Sequence, residues 1–298
     1  MNTVLAPRHL LLGLAVVAVW GTNFVVIKLG LEQLPPLLFA ALRFALAAVP
    51  AIFLLRRPAA PWRNIAAYGV LIGAGQFGLL FLAMRADITP GLASLVIQMQ
   101  VFFTVGLAML LTGDRPQRFQ WVATAIAATG IAVIALYSDG SATPLGLLMI
   151  ACAALAWAAG NIVGRAAGRV DMLAYVAWSS LFAVPPLAAL SLVFEGWPRI
   201  SEGLAGAGWT TWAVVAWQSW GNTIFGYGAW AWLLSRYAAA SVTPLALLVP
   251  VFGMGASAWW LGEALPGWKL GAAALVLAGL LINVLWPYWH ASRQKPPF

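Results

Sequence analysis

Ten stretches of this chain are each long and apolar enough to cross a lipid bilayer, and this limits the fold more than any motif does. They run at about 10–31, 37–55, 64–84, 89–111, 118–136, 144–164, 172–194, 208–234, 241–261 and 267–288. Roughly 20 residues of helix cover the hydrocarbon core, where each backbone polar group must be satisfied inside its own segment. An all-α integral membrane protein with ten transmembrane helices is therefore expected. The joints hold turn formers, such as Leu34-Pro35-Pro36, Arg56-Arg57-Pro58 and Glu195-Gly196-Trp197-Pro198. Only 8% of residues are charged and 63% are hydrophobic, against roughly 25% charged in a soluble domain. The first stretch is too long for a cleaved signal and has no small-residue cleavage site, so it is expected to be retained. The polar tail beyond Ala291 is expected to be disordered.

Two of these stretches follow one pattern. Residues 87–121 and 236–270 each begin with small residues, continue through about twenty apolar ones, and end in Gly-acid: Gly113-Asp114 and Gly262-Glu263. Trp20-Gly21-Thr22-Asn23 and Trp157-Ala158-Ala159-Gly160-Asn161 likewise place an indole and an amide on one helix face. A duplication at half the length predicts two five-helix repeats, 8–138 and 144–288, and a tail at 289–298. Five is odd, so the second repeat enters the membrane inverted, and a transport site is expected between the two.

Charge sets the orientation. If both termini are inside, eleven of the sixteen basic residues fall in inner loops or ends, while six of the eight acids fall outside. The positive-inside rule then makes both termini cytoplasmic, in a multi-pass inner-membrane protein. It also accounts for the net charge of +8 without a nucleic-acid partner. The single cysteine, Cys152, rules out a disulfide framework and a thiolate metal cluster, and no cofactor or metal is expected. A membrane-embedded enzyme would need a base, a nucleophile or metal ligands, and the chain has no His pair, acid cluster or Cys–His set to supply them.

Polar side chains inside spans cost free energy unless they face protein or water, which makes each one a candidate. Asn23 and Asn161 occupy related positions in the two repeats; they either line a cavity or hydrogen-bond between helices. Gln98 and Gln100, two residues apart, point about 200° apart on a helix, so one is expected on the pathway and the other on a neighbouring helix. Gln76, Gln218 and Asn222 complete the amide set. Trp20 and Trp157 share faces with their asparagines, and with Trp217 and Tyr227 they offer flat apolar walls for an aromatic or large apolar side chain. Pro250, in the middle of the ninth span, should free a carbonyl and form a hinge. Arg43 is expected to snorkel or act structurally, with substrate binding as the other reading. Lys28, at a span end, could attract a carboxylate. All eight acids lie at span ends or in loops, so weak or no proton coupling is expected.

The motifs W-G-T-N-F-V-V-I-K (20–28), A-S-L-V-I-Q-M-Q-V-F-F-T (93–104) and S-V-T-P-L-A-L-L-V-P-V-F (241–252), with the Gly-acid endings, resemble the drug/metabolite transporter superfamily, EamA type, over about 8–288. Within it the chain is most similar to the aromatic amino acid exporters of the YddG type. One departure is Asp114, where the family carries Glu. The resemblance implies a central cavity walled by the first, third, fourth, sixth, eighth and ninth spans, passing amino acids outward by alternating access. Export of drugs or other metabolites, such as organic cations, sugar phosphates or nucleotide sugars, is the alternative. The expected partners are a small-molecule substrate and the bilayer, with the protein a monomer or weak dimer.

Overall fold

The computed structural model describes residues 5–112, 117–137, 139–237 and 239–293, and these are helical apart from short connections. The Gly113-Asp114 ending of the first repeat lies outside the described residues. The spans are α1 (Pro7–Leu31), α2 (Pro36–Leu54), α3 (Trp62–Ala86), α4 (Pro90–Leu111), α5 (Arg118–Leu136), α6 (Pro144–Ala166) and α7 (Met172–Phe194). After a short helix at Gly196–Ala205 comes α8, helical over 209–236, then α9 (Thr243–Leu261) and α10 (Gly267–Trp286). Proline opens α1, α2, α4 and α6, where its missing N–H would have had no partner anyway. Side chains cap the starts of α6 and α7: Thr143 Oγ1 accepts from Gly146 N, and Asp171 accepts from Leu173 and Ala174 N.

Nine helices among the described residues are long and apolar enough to cross a membrane, and α8 falls short. The reason is its composition. Gln218, Ser219, Asn222 and Thr223 crowd its middle, and all four are buried in the protein. Its lipid-compatible side is the opposite stripe, where Trp209, Trp212, Trp217, Trp220 and Phe225 stand exposed. A helix that is polar inside and aromatic outside fails a test of average apolarity while still fitting a bilayer.

Small residues set the helix spacing, as expected where no hydrophobic drive pulls helices together inside lipid. A Cβ on Gly69 would meet the backbone of Ser179 in α7, one on Gly75 would lie 2.7 Å from Ala156 of α6, and one on Gly130 would lie 2.8 Å from the backbone of α10. The helices interrupt their α-geometry at comparable depths. α3 is π-helical at Leu71–Gly78 and α8 at Trp217–Phe225, while α4 tightens to 3-10 at Ile97–Met99 and α9 at Thr243–Leu248. The two π segments each contain a glycine–amide pair, Gly75-Gln76 and Gly221-Asn222. Such interruptions leave backbone groups out of the regular ladder, and they are tolerated at membrane depth only where they are buried in protein or line a cavity.

Candidate functional site

Two amide pairs each join neighbouring helices. Asn23 of α1 is buried, and its Oδ1 accepts from Gln218 Nε2 of α8 at 2.8 Å. Asn161 of α6 is only half-buried and donates from Nδ2 to Gln100 Oε1 at 2.9 Å and to Thr104 Oγ1 at 3.2 Å, both on α4. One turn before Asn23, Trp20 donates from Nε1 to the Asn222 carbonyl at 3.3 Å. Its ring lies 5.5 Å from Tyr227 and 5.1 Å from Trp230, forming an aromatic wall between α1 and α8. Gly226 permits this approach, because a Cβ there would collide with the Trp20 indole.

The remaining candidates divide. Gln76 and Gln98 are buried, and Gln76 Oε1 has no hydrogen-bond partner, nor does Gln218 Oε1. Of the adjacent glutamines, Gln100 is the one bonded to a neighbouring helix. Trp157 is partly buried against the core. The Trp217 indole is 41% exposed on α8, one position from buried Gln218, and lies over Gly221. Pro250 sits in the first turn of the helix that starts at Val249, just after the 3-10 stretch. The departure from α-geometry therefore precedes the proline.

Arg43 does not snorkel. It is wholly buried at mid-span in α2, with its Cζ 3.8 Å from the Phe77 ring centroid. Nη2 donates to Thr223 Oγ1 at 3.2 Å, while Nε and Nη1 have no partner. Taking a cation out of water costs several kcal/mol after relaxation. A desolvated cation–π contact returns about 2 kcal/mol, and a charged hydrogen bond about 1.5–3 kcal/mol. Thr104, Ser219 and Thr223 were missed by sequence reasoning. Hydroxyls are common in membrane helices, and only their contacts distinguish these.

The face where α1 ends is closed by polar contacts. Glu263, just past α9, reaches the start of α4, accepting from Thr89 Oγ1 at 2.5 Å and from Gly91 N at 3.0 Å. Ser257 also donates to this carboxylate, and Lys269 lies 3.4 Å from it. Lys269 also reaches Asp139 at 3.8 Å. Desolvation is the largest single influence on the Asp139 carboxyl and raises it, but hydrogen bonds from Ser141 together with the Lys269 charge outweigh it and hold the group below its ordinary range. On the same face, Glu195 accepts from the first free N–H groups of α2, Leu37 N at 2.6 Å and Leu38 N at 3.1 Å, and Arg85 donates to the Leu31 carbonyl at 2.6 Å. Glu263 and Glu195 each place a carboxylate on a helix N-terminus, where the dipole and unpaired N–H groups favour it.

The chain belongs to the EamA-like transporter family, which matches residues 8–136 and 144–285. A "Probable amino-acid metabolite efflux pump" from Salmonella typhimurium is 42% identical, over 92% of this chain and 93% of that one. A protein of the same description from Escherichia coli is 40% identical, over 94% and 96%. A solved crystal structure 21% identical in sequence covers 97% of this chain and 99% of its own, with a TM-score of 0.63, a likeness of fold. The chain is thus a multi-pass inner-membrane transporter, held in the bilayer by helices rather than a barrel.

Proposed function

We propose that this protein exports neutral amino acids, with aromatic and large apolar ones favoured, by alternating access around the mid-depth layer of amides and rings. The observation that carries this reading is the coincidence of helix interruptions with buried amides. The π segments of α3 and α8 and the 3-10 segment of α4 hold Gln76, Gln98, Gln218 and Asn222, and the 3-10 segment of α9, which holds none, rests on α1, the helix of Asn23 and Trp20. They also pair by rank, third with eighth and fourth with ninth, which supports inverted repeats at 8–138 and 144–288 with α8 as the tenth span. Contacts between helix ends support the same alternation. The ends of α1 and α3 meet through Lys28 and the Met84 carbonyl, while the start of α1 and the end of α8 meet through His9 and Tyr237. The positive-inside bias then makes the terminal face cytoplasmic.

The names of the efflux-pump relatives support amino acids as cargo. Amides, backbone dipoles and indole faces suit a zwitterion with an apolar side chain, and no acid stands within a span to alternate between proton and cargo. Weak or no proton coupling follows. Pro250 and the 3-10 stretch before it are the hinge in this reading, and the protein works as a monomer or weak dimer.

Purified protein in liposomes, given labelled threonine, methionine and tryptophan with and without a pH gradient, tests this. Downhill flux and counterflow without a gradient are expected, and Asn23→Ala or Asn161→Ala should remove them. Absence of flux for every amino acid, with an organic cation or phosphate ester moving instead, overturns the substrate assignment. Flux that runs only with a pH gradient overturns the uncoupled mechanism.

A further inference from the structure

We propose that Arg43 is the receptor for the carboxylate of the transported amino acid, in a subsite between α2, α3, α7 and α8 that adjoins Trp20 through Tyr227. The inference rests on the amino-acid reading above and adds to it the group that recognises the acid end of the substrate.

The chain buries this charge with only aromatic rings and one hydroxyl to answer it. Arg43 is fully enclosed, one of its three guanidinium nitrogens is engaged by Thr223, and the other two have no acceptor. Among the described residues the ion pairs all involve Lys269, far along the chain and on the closed face. Charges survive in protein interiors when they are paired and hydrogen-bonded. Here the pairing anion has to arrive from outside the chain. Each bidentate edge of a guanidinium includes Nη2, and Thr223 takes only one of its two N–H groups, so the second can join unspent Nε or Nη1 in facing two carboxylate oxygens.

The surroundings place suitable groups near such a ligand. The pocket at Arg43, walled by Phe44, Tyr68, Phe77, Ser180, Thr223 and Tyr227, has a volume of only about 10 Å³ in this conformation, room for one water, so the carboxylate enters as the helices move apart. Tyr227 stands between this pocket and the Trp20 ring, 5.5 Å from it. Arg43 is tied to the π segment of α8 twice, since Ser219 Oγ donates to its carbonyl at 2.9 Å and Thr223 takes its side chain. Thr223 in turn donates to the Gln218 carbonyl at 3.0 Å, linking Arg43 to the residue paired with Asn23. The other buried side-chain polar atoms without a partner among the described residues are two acceptors, Gln76 Oε1 and Gln218 Oε1. Unanswered donors on Arg43 and unanswered acceptors on two glutamines complement a carboxylate and an ammonium, the two ends of a zwitterion. Gln76 precedes Phe77, the ring over Arg43, and Gln218 lies in the same π segment as Thr223.

The test is competition in liposomes holding the full-length protein. Flux of the labelled amino acid that moves fastest is measured against unlabelled L-methionine and L-methioninamide, which share a side chain and an ammonium but differ in the carboxylate. Wild type should be inhibited at least tenfold more weakly by the amide. Arg43→Gln should cut amino acid flux at least tenfold and narrow that preference to under threefold; Arg43→Lys should retain the preference with weaker affinity. Should Arg43→Gln fail to fold, the wild-type comparison and the Lys variant still decide. Equal competition by acid and amide in wild type, or an unchanged preference in Arg43→Gln, overturns the carboxylate subsite while leaving amino acid export standing. Absence of flux for every amino acid overturns the export reading itself.

Discussion

The far-face half of α9 lies against α4, where a Cβ on Gly253 would collide with Ser94 and Glu263 caps the α4 start, whereas towards the terminal face the two helices part. There the Gln100–Thr112 half of α4 leans on α6, and the Thr243–Leu248 stretch of α9 rests on α1 and α10. Burial follows the same division. Every residue from Pro90 to Gln98 is buried, while those after Gln100 are half-buried and Leu110 is 82% exposed. One pair of helices thus carries a sealed half and a parted half, joined at the 3-10 stretches. The lesson is that closure here joins close apolar packing to a few carboxylates on helix N-termini. The polar contacts are the part that can be exchanged in a transport cycle at modest cost.

Breaking the seal should have the largest effect. Glu263→Ala leaves Gly91 N, Thr89, Ser257 and Lys269 without their shared acceptor, at about 1–3 kcal/mol for the buried groups. On a Cys152→Ser, Val96→Cys background, labelling by a membrane-impermeant maleimide added at the far face should rise several-fold, because Val96 is buried behind the seal. Unchanged labelling would show that the glycine packing alone keeps the helices together.

A smaller effect should separate the two amides. Asn23→Ala strands the buried Gln218 amide and should lower the melting temperature in detergent by several degrees, an effect of about 1–2 kcal/mol. Asn161 faces the parted half and is only half-buried, so Asn161→Ala should reduce flux with a shift of about 1–2 °C or less. Equal melting shifts would remove the distinction between the sealed and parted sides.

The smallest effect concerns Asp139. Its folded value is depressed, so its contribution is present above the ordinary carboxylate value of about 3.9 and is lost as pH falls through the lower folded value. Asp139→Asn should therefore melt slightly earlier than wild type at pH 7, with the gap closing as pH falls below the ordinary carboxylate range. Exposed pairs are weak, so a shift of about 1 °C is expected. No gap at pH 7 would mean that Lys269 answers chiefly to Glu263.

The candidate amides were legible as residue type. Asn23, Asn161, Gln76 and Asn222 stand out because an amide inside an apolar stretch is costly, and for Asn23 and Asn161 the structure shows the interhelical hydrogen bonds that were one of the two readings. Trp217 could not be told from Trp20 in this way, since an indole suits both lipid and cavity and only helix rotation separates them. Pro250 has no N–H to offer the Ala246 carbonyl, which accepts from Val249 instead, so the 3-10 stretch at Thr243–Leu248 lies on the side where a proline disturbs a helix. In α3 and α8 a glycine–amide pair is the only sequence mark of the π segments.

The all-helical membrane class and the family follow from the sequence alone, because a helix in lipid must satisfy its own backbone and the length of each apolar stretch records that directly. Which polar groups meet was decided by tertiary structure. Arg43 shows why: a lone cation in a span is compatible with snorkelling, an ion pair or a ligand. Its burial against Phe77, with two nitrogens unspent, exists only once α2, α3 and α8 have packed.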